Sequence, residues 1–255
     1  MNRGILTLSL ALFAASATPP AIAAPTPTID QAVAATTWRS ETNLALDASR
    51  KPAEVLRFLG LKRGMRVLDA VGGNGYWAEI TSQVVGPRGR VTIWQPAQFY
   101  TQKTYDAFNA GLAKAGNVGL ISSPWQAPDL PAAKYDFALI NLDYHDVYWS
   151  STARDIPRQD PGPWIAAVAA SLKPGAVIGI IDHSARAGSD PRETVEKYHR
   201  IDPAVVKADW EKAGFTLEAT SDILRNPADP LDVLVFDKAI RGKTDRFIYR
   251  FRKAR

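Results

Sequence analysis

Residues 66–79 read RVLDAVGGNGYWAE, an apolar strand that ends in an aspartate, then a glycine-rich turn and the start of a helix. Gly72, Gly73 and Gly75 leave stretches of backbone without Cβ atoms, so a ligand can approach the main chain closely. The amino terminus of the following helix presents unpaired N–H groups and the positive end of its dipole. This strand, turn and helix therefore predict the ligand-binding first unit of an open α/β sheet.

The aspartate at the end of this strand, Asp69, indicates the class of ligand. The spacing Gly73-x-Gly75-x-x-Ala78 also fits the fingerprint of dinucleotide sites. A carboxylate beside the turn would repel a pyrophosphate and suits a cationic or hydroxyl-rich ligand. S-adenosylmethionine, which carries an ammonium, a sulfonium and a ribose, is a ligand of this kind. A nicotinamide-dependent oxidoreductase is the alternative that the same glycines leave open.

Predicted strands and helices alternate along the rest of the chain. Beyond the first strand, the hydrophobic patterns predict strands over residues 90–95, 118–122, 135–142, 176–181, 215–219 and 246–253. They predict helices over residues 52–59, 75–85, 101–115, 163–172 and 202–213. We therefore predict a Rossmann-like α/β fold in one domain, residues 37–255. Its seven-stranded, mostly parallel sheet has helices on both faces, with the last strand antiparallel.

The first residues have the pattern of an export signal. Arg3 precedes an apolar run from Ile5 to Ala15 that is too short to span a bilayer. Small residues at 21 and 23 occupy the positions that a signal peptidase reads. We predict a signal peptide over residues 1–23, cleaved after Ala23, and a mobile segment over residues 24–36. The product would be periplasmic or secreted, with no stable membrane insertion after cleavage; a retained amphipathic anchor is the alternative.

Composition limits the classes of partner. The chain has no cysteine, so an exported form would depend on its core rather than on disulfides. It carries 31 basic and 26 acidic residues, and loss of Arg3 with the signal leaves a mild net charge of +4. Many of the basic residues lie near the end, where residues 246–253 alternate polar and apolar side chains as a strand does. Their arginines are predicted to form a solvated face, and no nucleic-acid partner is expected.

Ligands of such sheets bind outside the carboxyl ends of the strands, beside the first strand. The polar residues at the predicted strand ends are Asp69, Gln95, Asn141 and Asp182. Trp77, Trp94 and Trp125 also fall near these ends. The sequence leaves open whether these rings line an adenine site or belong to the core.

Several motifs carry a resemblance to a known family. The turn at 66–79, the apolar run YDFALINL at 135–142 and LKPG at 172–175 resemble the first motif and the fourth and fifth strands of class I S-adenosylmethionine-dependent methyltransferases. Later motifs are similar to those of a bacterial group of exported, methyltransferase-like proteins: Tyr144-His145-Asp146, Asp182-His183-Ser184, and residues 199–203, 224–227 and 241–247. The resemblance covers roughly residues 40–255. It implies methyl transfer to an unidentified, small acceptor.

The resemblance also implies S-adenosylmethionine as the cofactor and a set of cofactor-binding residues. They are Asp69, Gly72, Gly73, Gly75, Gln95, Gln126 and Asn141. The family has a glycine where this chain has Val71, and acids where it has Gln95 and Gln126. A glutamine donates and accepts hydrogen bonds but forms no charge-assisted bond, so cofactor affinity is expected to be lower. The alternative function is a non-catalytic exported binding protein that retains the fold.

The catalytic hypothesis rests on the histidines, of which the chain has three. An imidazole titrates near neutral pH and can take a proton from an acceptor hydroxyl or amine. We predict His145 or His183 as the base, with Tyr144 shaping the transfer site and Asp146 orienting an imidazole; the alternative is that these residues only brace loops. Two histidines with Asp146 or Asp182 would also suit a metal ion, but their spacing in sequence does not show that they converge, and no metal ligand is predicted.

Overall fold

The computed structural model describes residues 26–255, so the predicted signal peptide and its cleavage site lie outside the described residues. A seven-stranded sheet with the order β3-β2-β1-β4-β5-β7-β6 forms its centre. The strands are β1 Arg66–Ala70, β2 Arg90–Pro96, β3 Val118–Ser123, β4 Tyr135–Asn141, β5 Leu172–His183, β6 Phe215–Ser221 and β7 Arg246–Lys253. Strand β7 pairs antiparallel with both β5 and β6, whereas the pairs among β1 to β5 are parallel. The predicted fold class is confirmed.

Helices surround this sheet. They are α1 Ile29–Ala34, α2 Glu41–Leu44, α3 Asp47–Arg50, α4 Pro52–Leu59, α5 Tyr76–Val85, α6 Gln102–Ala110, α7 Pro161–Ser171, α8 Pro191–Tyr198 and α9 Pro203–Lys212. The last three begin in the same way, because an aspartate side chain caps each helix and a proline occupies its first position. No helix within residues 26–255 is long and apolar enough to cross a bilayer.

Several helical segments differ from the sequence prediction, including the short helices α2 and α3, which were not predicted. Helix α1 forms inside the segment predicted to be mobile, because Thr28 and Gln31 make a reciprocal capping box and Ala32 is fully buried. The helix predicted over residues 101–115 ends at Ala110 and continues after Gly111 as a short 3-10 turn. Helix α8 was missed because its largely polar sequence, PRETVEKY, lacks a clear apolar stripe.

Side chains on the two faces of the sheet build two hydrophobic clusters. In β1, Leu68 and Ala70 face one cluster, whereas Val67 faces the other. Trp94 and Trp125 are fully buried in the first cluster, with stacked rings 6.0 Å apart. These two tryptophans therefore belong to the core and do not line an adenine site.

The basic residues of β7 are not the solvated face that their alternation predicted. Arg252 forms an ion pair with Glu218 and donates to the Gly175 carbonyl. Lys253 donates to two carbonyl oxygens near the end of α7. The strand lies between β5 and β6 instead of at an edge, so its long side chains reach groups of the neighbouring elements.

Candidate active site

The glycine turn after β1 is shaped by the carboxylate beneath it. A Cβ atom on Gly72 would lie 2.9 Å from both Cγ and Oδ2 of Asp69, so only glycine fits there. Gly75 has a different role from the predicted one. Its φ of 76° opens helix α5, and a Cβ atom would lie 2.1 Å from a methyl group of Leu112. Gly75 is therefore required for backbone conformation and helix packing, and it does not line the cavity described below.

Asp69 is buried at the carboxyl end of β1, with 3% of its surface exposed. Within the described residues, its Oδ2 atom has no hydrogen-bond partner. Burial raises the pKa of Asp69 to about 7, although the charge of Arg50 acts to lower it. A buried carboxylate oxygen without a partner costs free energy, and it is the kind of group that a bound donor or cation satisfies.

Gln95, at the end of β2, is engaged with the protein itself. Its Oε1 atom accepts the Gly73 N–H at 2.9 Å, and its Nε2 atom donates to the Phe99 carbonyl at 3.3 Å. One acceptor lone pair and one N–H therefore remain for a ligand. Gln126 accepts a bond from Gln98 Nε2 at 3.0 Å and lines none of the cavities described here, so its predicted contact with the cofactor does not match its position.

Two adjoining cavities open at this edge of the sheet. The glycine-turn cavity, of about 360 Å³, is lined by the remaining predicted cofactor residues: Asp69, Gly72, Gly73, Gln95 and Asn141. The histidine cavity, of about 1030 Å³, is lined by His145, His183 and His199. Leu46, Arg50, Phe99, Asp143 and Asp146 line both. Paired compartments of this size suit two small molecules that must meet.

Val71 occupies a left-handed backbone conformation in the turn, with a φ of 58°. A β-branched residue is strained there by about 1–2 kcal/mol, and the strain adjoins the glycine-turn cavity. We expect Val71→Gly to leave the protein about 1 kcal/mol more stable than Val71→Ala, because both lose the side chain and only glycine relieves the strain. Urea denaturation measures this difference.

The same pair of substitutions at Val67 supplies the matched control. Val67 is buried within regular strand β1, where glycine costs about 0.5–1 kcal/mol relative to alanine. At Val67 the glycine variant should therefore be less stable than the alanine variant, the reverse of the order expected at Val71. The same order at both positions would show that the conformation of Val71 stores no strain.

His145 is held by Asp182, the next-to-last residue of β5. Asp182 accepts the His145 backbone N–H and contacts its ring Nδ1, both at 2.8 Å. Burial alone would lower the pKa of His145, but the charges of Asp182 and Asp146 raise it to about 9. Burial and the charge of Asp146 raise the pKa of the neighbouring Asp143 well above its usual range. Carboxylates crowded around one imidazole favour a positive charge at this position.

Asp146 joins two histidines that are far apart in sequence. Its Oδ1 atom lies 3.3 Å from His145 Nε2 and 3.3 Å from His199 Nδ1. His199 ends helix α8 in a left-handed conformation, with a φ of 51°. Its ring packs between Trp149 and Phe236, with centroid distances of 5.3 and 5.0 Å. Within residues 26–255, neither Asp146 Oδ1 nor His199 Nδ1 has a hydrogen-bond partner.

His183 lies next to this group but belongs to a different bonding arrangement. Its Nδ1 atom is 2.7 Å from Thr244 Oγ1. Burial, together with the positive charges of His145 and Arg246, lowers the pKa of His183 well below its usual range. His183 is therefore a neutral imidazole in the same cavity as His145.

Tyr144 does not lie where its predicted role requires. Its hydroxyl donates to Asp209 Oδ2 at 2.7 Å, and its ring packs against Trp164 and Trp210. The side chain is fully buried and lines neither cavity. Tyr144 therefore supports the loop after β4 from below, although its neighbour His145 enters the site.

Sequence reasoning missed two groups at the boundary of the cavities. Asp143 follows the end of β4 by two residues, and this placement was a usable signal. Arg50 had no such signal, because it comes from the short helix α3, far from the strand ends in sequence. Its guanidinium lies over the Tyr76 ring at 4.2 Å and lines both cavities.

Comparisons with known proteins agree with this architecture. The family model described as protein-L-isoaspartate(D-aspartate) O-methyltransferase matches residues 34–110, the segment that contains the glycine turn. A crystal structure of an S-adenosylmethionine-dependent methyltransferase from Aquifex aeolicus superposes with a TM-score of 0.58. That match has 21% identity and covers 84% of this chain and 93% of that chain. This chain has the S-adenosylmethionine-dependent methyltransferase fold.

Other proteins with the methyltransferase fold differ in what they do. The 1,6-didemethyltoxoflavin-N1-methyltransferase from Burkholderia thailandensis, solved with S-adenosylhomocysteine, has a TM-score of 0.50 and 17% identity, covering 84% of this chain and 80% of that chain. The cyclase SpnF has a TM-score of 0.55 and 16% identity, covering 87% of this chain and 85% of that chain. No curated protein sequence matches this chain significantly. The methyltransferase fold thus positions a site whose reaction must be argued from its residues.

Proposed function

We propose that the protein is an S-adenosylmethionine-dependent methyltransferase that acts on a small, negatively charged acceptor. One observation carries the proposal: the Asp69 Oδ2 atom, which has no hydrogen-bond partner among the described residues, lies beneath the open backbone of Gly72, in a cavity that adjoins a second, larger one. A donor bound in the first cavity and an acceptor bound in the second would meet near Asp143 and Asp146, which line both.

The residues of the glycine-turn cavity fit the donor. The Asp69 carboxylate suits its ammonium or ribose hydroxyls, and the Arg50 guanidinium suits its carboxylate. Gln95 retains one donor and one acceptor for a hydroxyl or an adenine edge, which supports binding without the charge-assisted bond of an acid. When bound, S-adenosylmethionine supplies a methyl group on a sulfonium, which an acceptor nucleophile can take.

Charge in the histidine cavity supports an anionic acceptor. The basic residues that line it are Arg50, Arg154, Arg241, Lys243 and Arg246, against the carboxylates of Asp143 and Asp146. Most of these basic side chains lie on the segment that leads into β7 and on the turn before α7. They would draw a carboxylate or phosphate toward the site and hold it for in-line transfer.

The proton that the acceptor loses needs a base. His145 and His183 both line the histidine cavity, and each has its Nδ1 atom held by a neighbouring side chain, Asp182 or Thr244. Fixed imidazoles of this kind suit proton transfer from a positioned hydroxyl or amine. Of the two, we propose His183 as the base, because its imidazole is neutral, whereas the carboxylates around His145 raise the pKa of that ring to about 9 and keep it protonated near neutral pH.

Calorimetric titration with S-adenosylmethionine, S-adenosylhomocysteine and NAD tests the proposal. We expect the first two to bind with micromolar dissociation constants and NAD not to bind, because Asp69 opposes a pyrophosphate. Failure of all three at millimolar concentration would favour a non-catalytic binding protein instead. Binding of NAD alone would indicate an oxidoreductase.

We also propose that the chain is exported and cleaved after Ala23, as its first residues predict. Amino-terminal sequencing of the protein recovered from cell fractions measures this. We expect a mature chain that begins at Ala24 in the periplasm or the medium. An intact amino terminus in the membrane fraction would indicate a retained anchor.

A further inference from the structure

We propose that His145 Nε2, Asp146 Oδ1 and His199 Nδ1 form a binding site for one divalent transition-metal ion. Each of these three residues, one buried and two half-buried, offers a ligand atom within 4.8 Å of a ligand atom of each of the others. Two imidazoles and one carboxylate are a ligand set that such ions commonly use, with the remaining positions open to water or substrate.

The distances between these atoms match those between two ligands of one metal ion better than those of a direct hydrogen bond. Two ligands about 2.1 Å from one ion lie about 3.4 Å apart in tetrahedral geometry. The two observed separations from Asp146 Oδ1 are both 3.3 Å. Neither contact satisfies Asp146 Oδ1 or His199 Nδ1 as a hydrogen bond within the described chain, so both atoms are buried polar groups that lack a partner. A shared ion would satisfy both of them.

The surroundings of His145 supply the outer support that metal-bound histidines usually have. Asp182 holds the ring through Nδ1 at 2.8 Å, which leaves Nε2 on the side of Asp146. A carboxylate behind a ligating imidazole fixes the ring and raises its basicity as a ligand. Asp182 is fully buried and also accepts the His183 backbone N–H at 2.7 Å, so its orientation is fixed as well.

His199 is preorganised by its backbone and its neighbours. Its left-handed conformation at the end of α8 is closed by a bond from its N–H to the Val195 carbonyl. Trp149 and Phe236 pack against the ring. Little conformational entropy would therefore be lost when His199 binds an ion.

The ion would lie beside the basic residues that line the histidine cavity. Its role in binding an acceptor, described next, rests on the proposed function. An ion with open positions can hold a hydroxyl or carboxylate oxygen of an anionic acceptor while Arg154 and Arg241 attract its charge. His145 would then be a ligand, which leaves His183 as the base. The favoured acceptor is an oxygen-rich anion that can chelate.

Zn²⁺ and Co²⁺ binding to protein purified without a polyhistidine tag tests the site. We expect one Zn²⁺ per chain by equilibrium dialysis with elemental analysis, and visible absorption bands when Co²⁺ is added. Asp146→Asn and His199→Gln should each weaken Zn²⁺ binding at least tenfold. His183→Gln is the matched control: it removes the third histidine of the same cavity and should leave the stoichiometry unchanged.

Thermal unfolding provides a second readout. Zn²⁺ should raise the melting temperature of the natural protein and of His183→Gln, but not that of Asp146→Asn. If His199→Gln fails to fold, Asp146→Asn, which keeps the shape of the side chain, decides the question. Absence of stoichiometric binding, or equal binding by Asp146→Asn, would overturn the site. These measurements need neither methyl donor nor acceptor, so the ion site and the proposed methyl transfer can fail separately.

Discussion

Asp69→Asn is expected to weaken S-adenosylmethionine binding at least tenfold and, at the same time, to stabilise the folded protein. The carboxylate is buried, its Oδ2 atom has no partner within residues 26–255, and burial raises its pKa to about 7. Asparagine keeps the shape but removes the buried charge. The binding loss is measured by calorimetry and the stability gain by urea denaturation.

The pH dependence of this effect follows from linkage. Because the pKa of Asp69 is higher in the folded chain than its ordinary 3.8, the stabilisation from proton uptake is complete below about pH 4 and is lost as the pH rises through about 7. Asparagine mimics the protonated form. Its advantage should therefore be small near pH 4 and reach up to about 4 kcal/mol above pH 7. Donor affinity should change in the opposite sense and weaken below pH 7, where the natural carboxyl becomes neutral.

An exposed aspartate supplies the control for this prediction. Asp106, on the solvent side of α6, should change stability by less than about 0.5 kcal/mol when replaced by asparagine, at any pH in this range. If Asp69→Asn behaves like Asp106→Asn, the carboxylate is not under the burial penalty described here. If Asp69→Asn binds the donor normally, Asp69 is not a cofactor residue.

Asp229→Ala is expected to lower the free energy of unfolding by about 3–5 kcal/mol. Asp229 and Arg200 form a bidentate pair with distances of 2.8 and 3.0 Å, and both side chains are fully buried. Removal of Asp229 leaves the Arg200 charge buried without a counter-ion. It also removes the acceptor of the Asp245 backbone N–H at 2.6 Å. The melting temperature should fall by about 10 °C for a chain of this size.

The exposed pair Lys207 and Glu211 on α9 is the matched comparison. Both side chains are over 40% exposed, at 46% and 41%, so Glu211→Ala should cost less than about 0.5 kcal/mol. Arg200 is adjacent to His199 and also donates to the Ser184 and Val233 carbonyls. In Asp229→Ala we therefore expect the residues around the histidine cavity to unfold locally before the sheet unfolds. Equal losses for the two substitutions would show that the buried pair has no special role.

Hydrogen exchange tests which part of the Asp229→Ala protein loses stability first. We expect the amides of residues 226–245 to exchange faster in Asp229→Ala, whereas those of β1 and β4 remain protected, because the pair ties that segment to the ends of β5 and α8. Uniform loss of protection would instead indicate global unfolding.

The elements that sequence reasoning predicted well are those specified by local pattern. Strand β7 matches its predicted bounds, because alternation over residues 246–253 requires only near neighbours to be recognised. The turn after β1 was equally readable, since glycine positions report backbone constraints directly. The contacts of Arg252 in β7 could not be predicted in this way. They depend on Glu218 and the Gly175 carbonyl, which come close only when β5, β6 and β7 pair.

The order of apolar runs, turns and glycines was enough to determine an α/β sheet with a ligand-binding edge. The hydrophobic pattern within each run determines whether it forms a strand or a helix and which face it buries. Which polar side chains meet at that edge was decided by the tertiary structure alone. Tyr144 and His145 are adjacent in sequence, yet one bonds Asp209 beneath the loop and the other meets Asp146 and Asp182 above it. His199 reaches the same group from a helix end more than fifty residues along the chain. Contacts of this kind depend on side-chain direction and long-range packing, which leave no periodic trace in a single sequence.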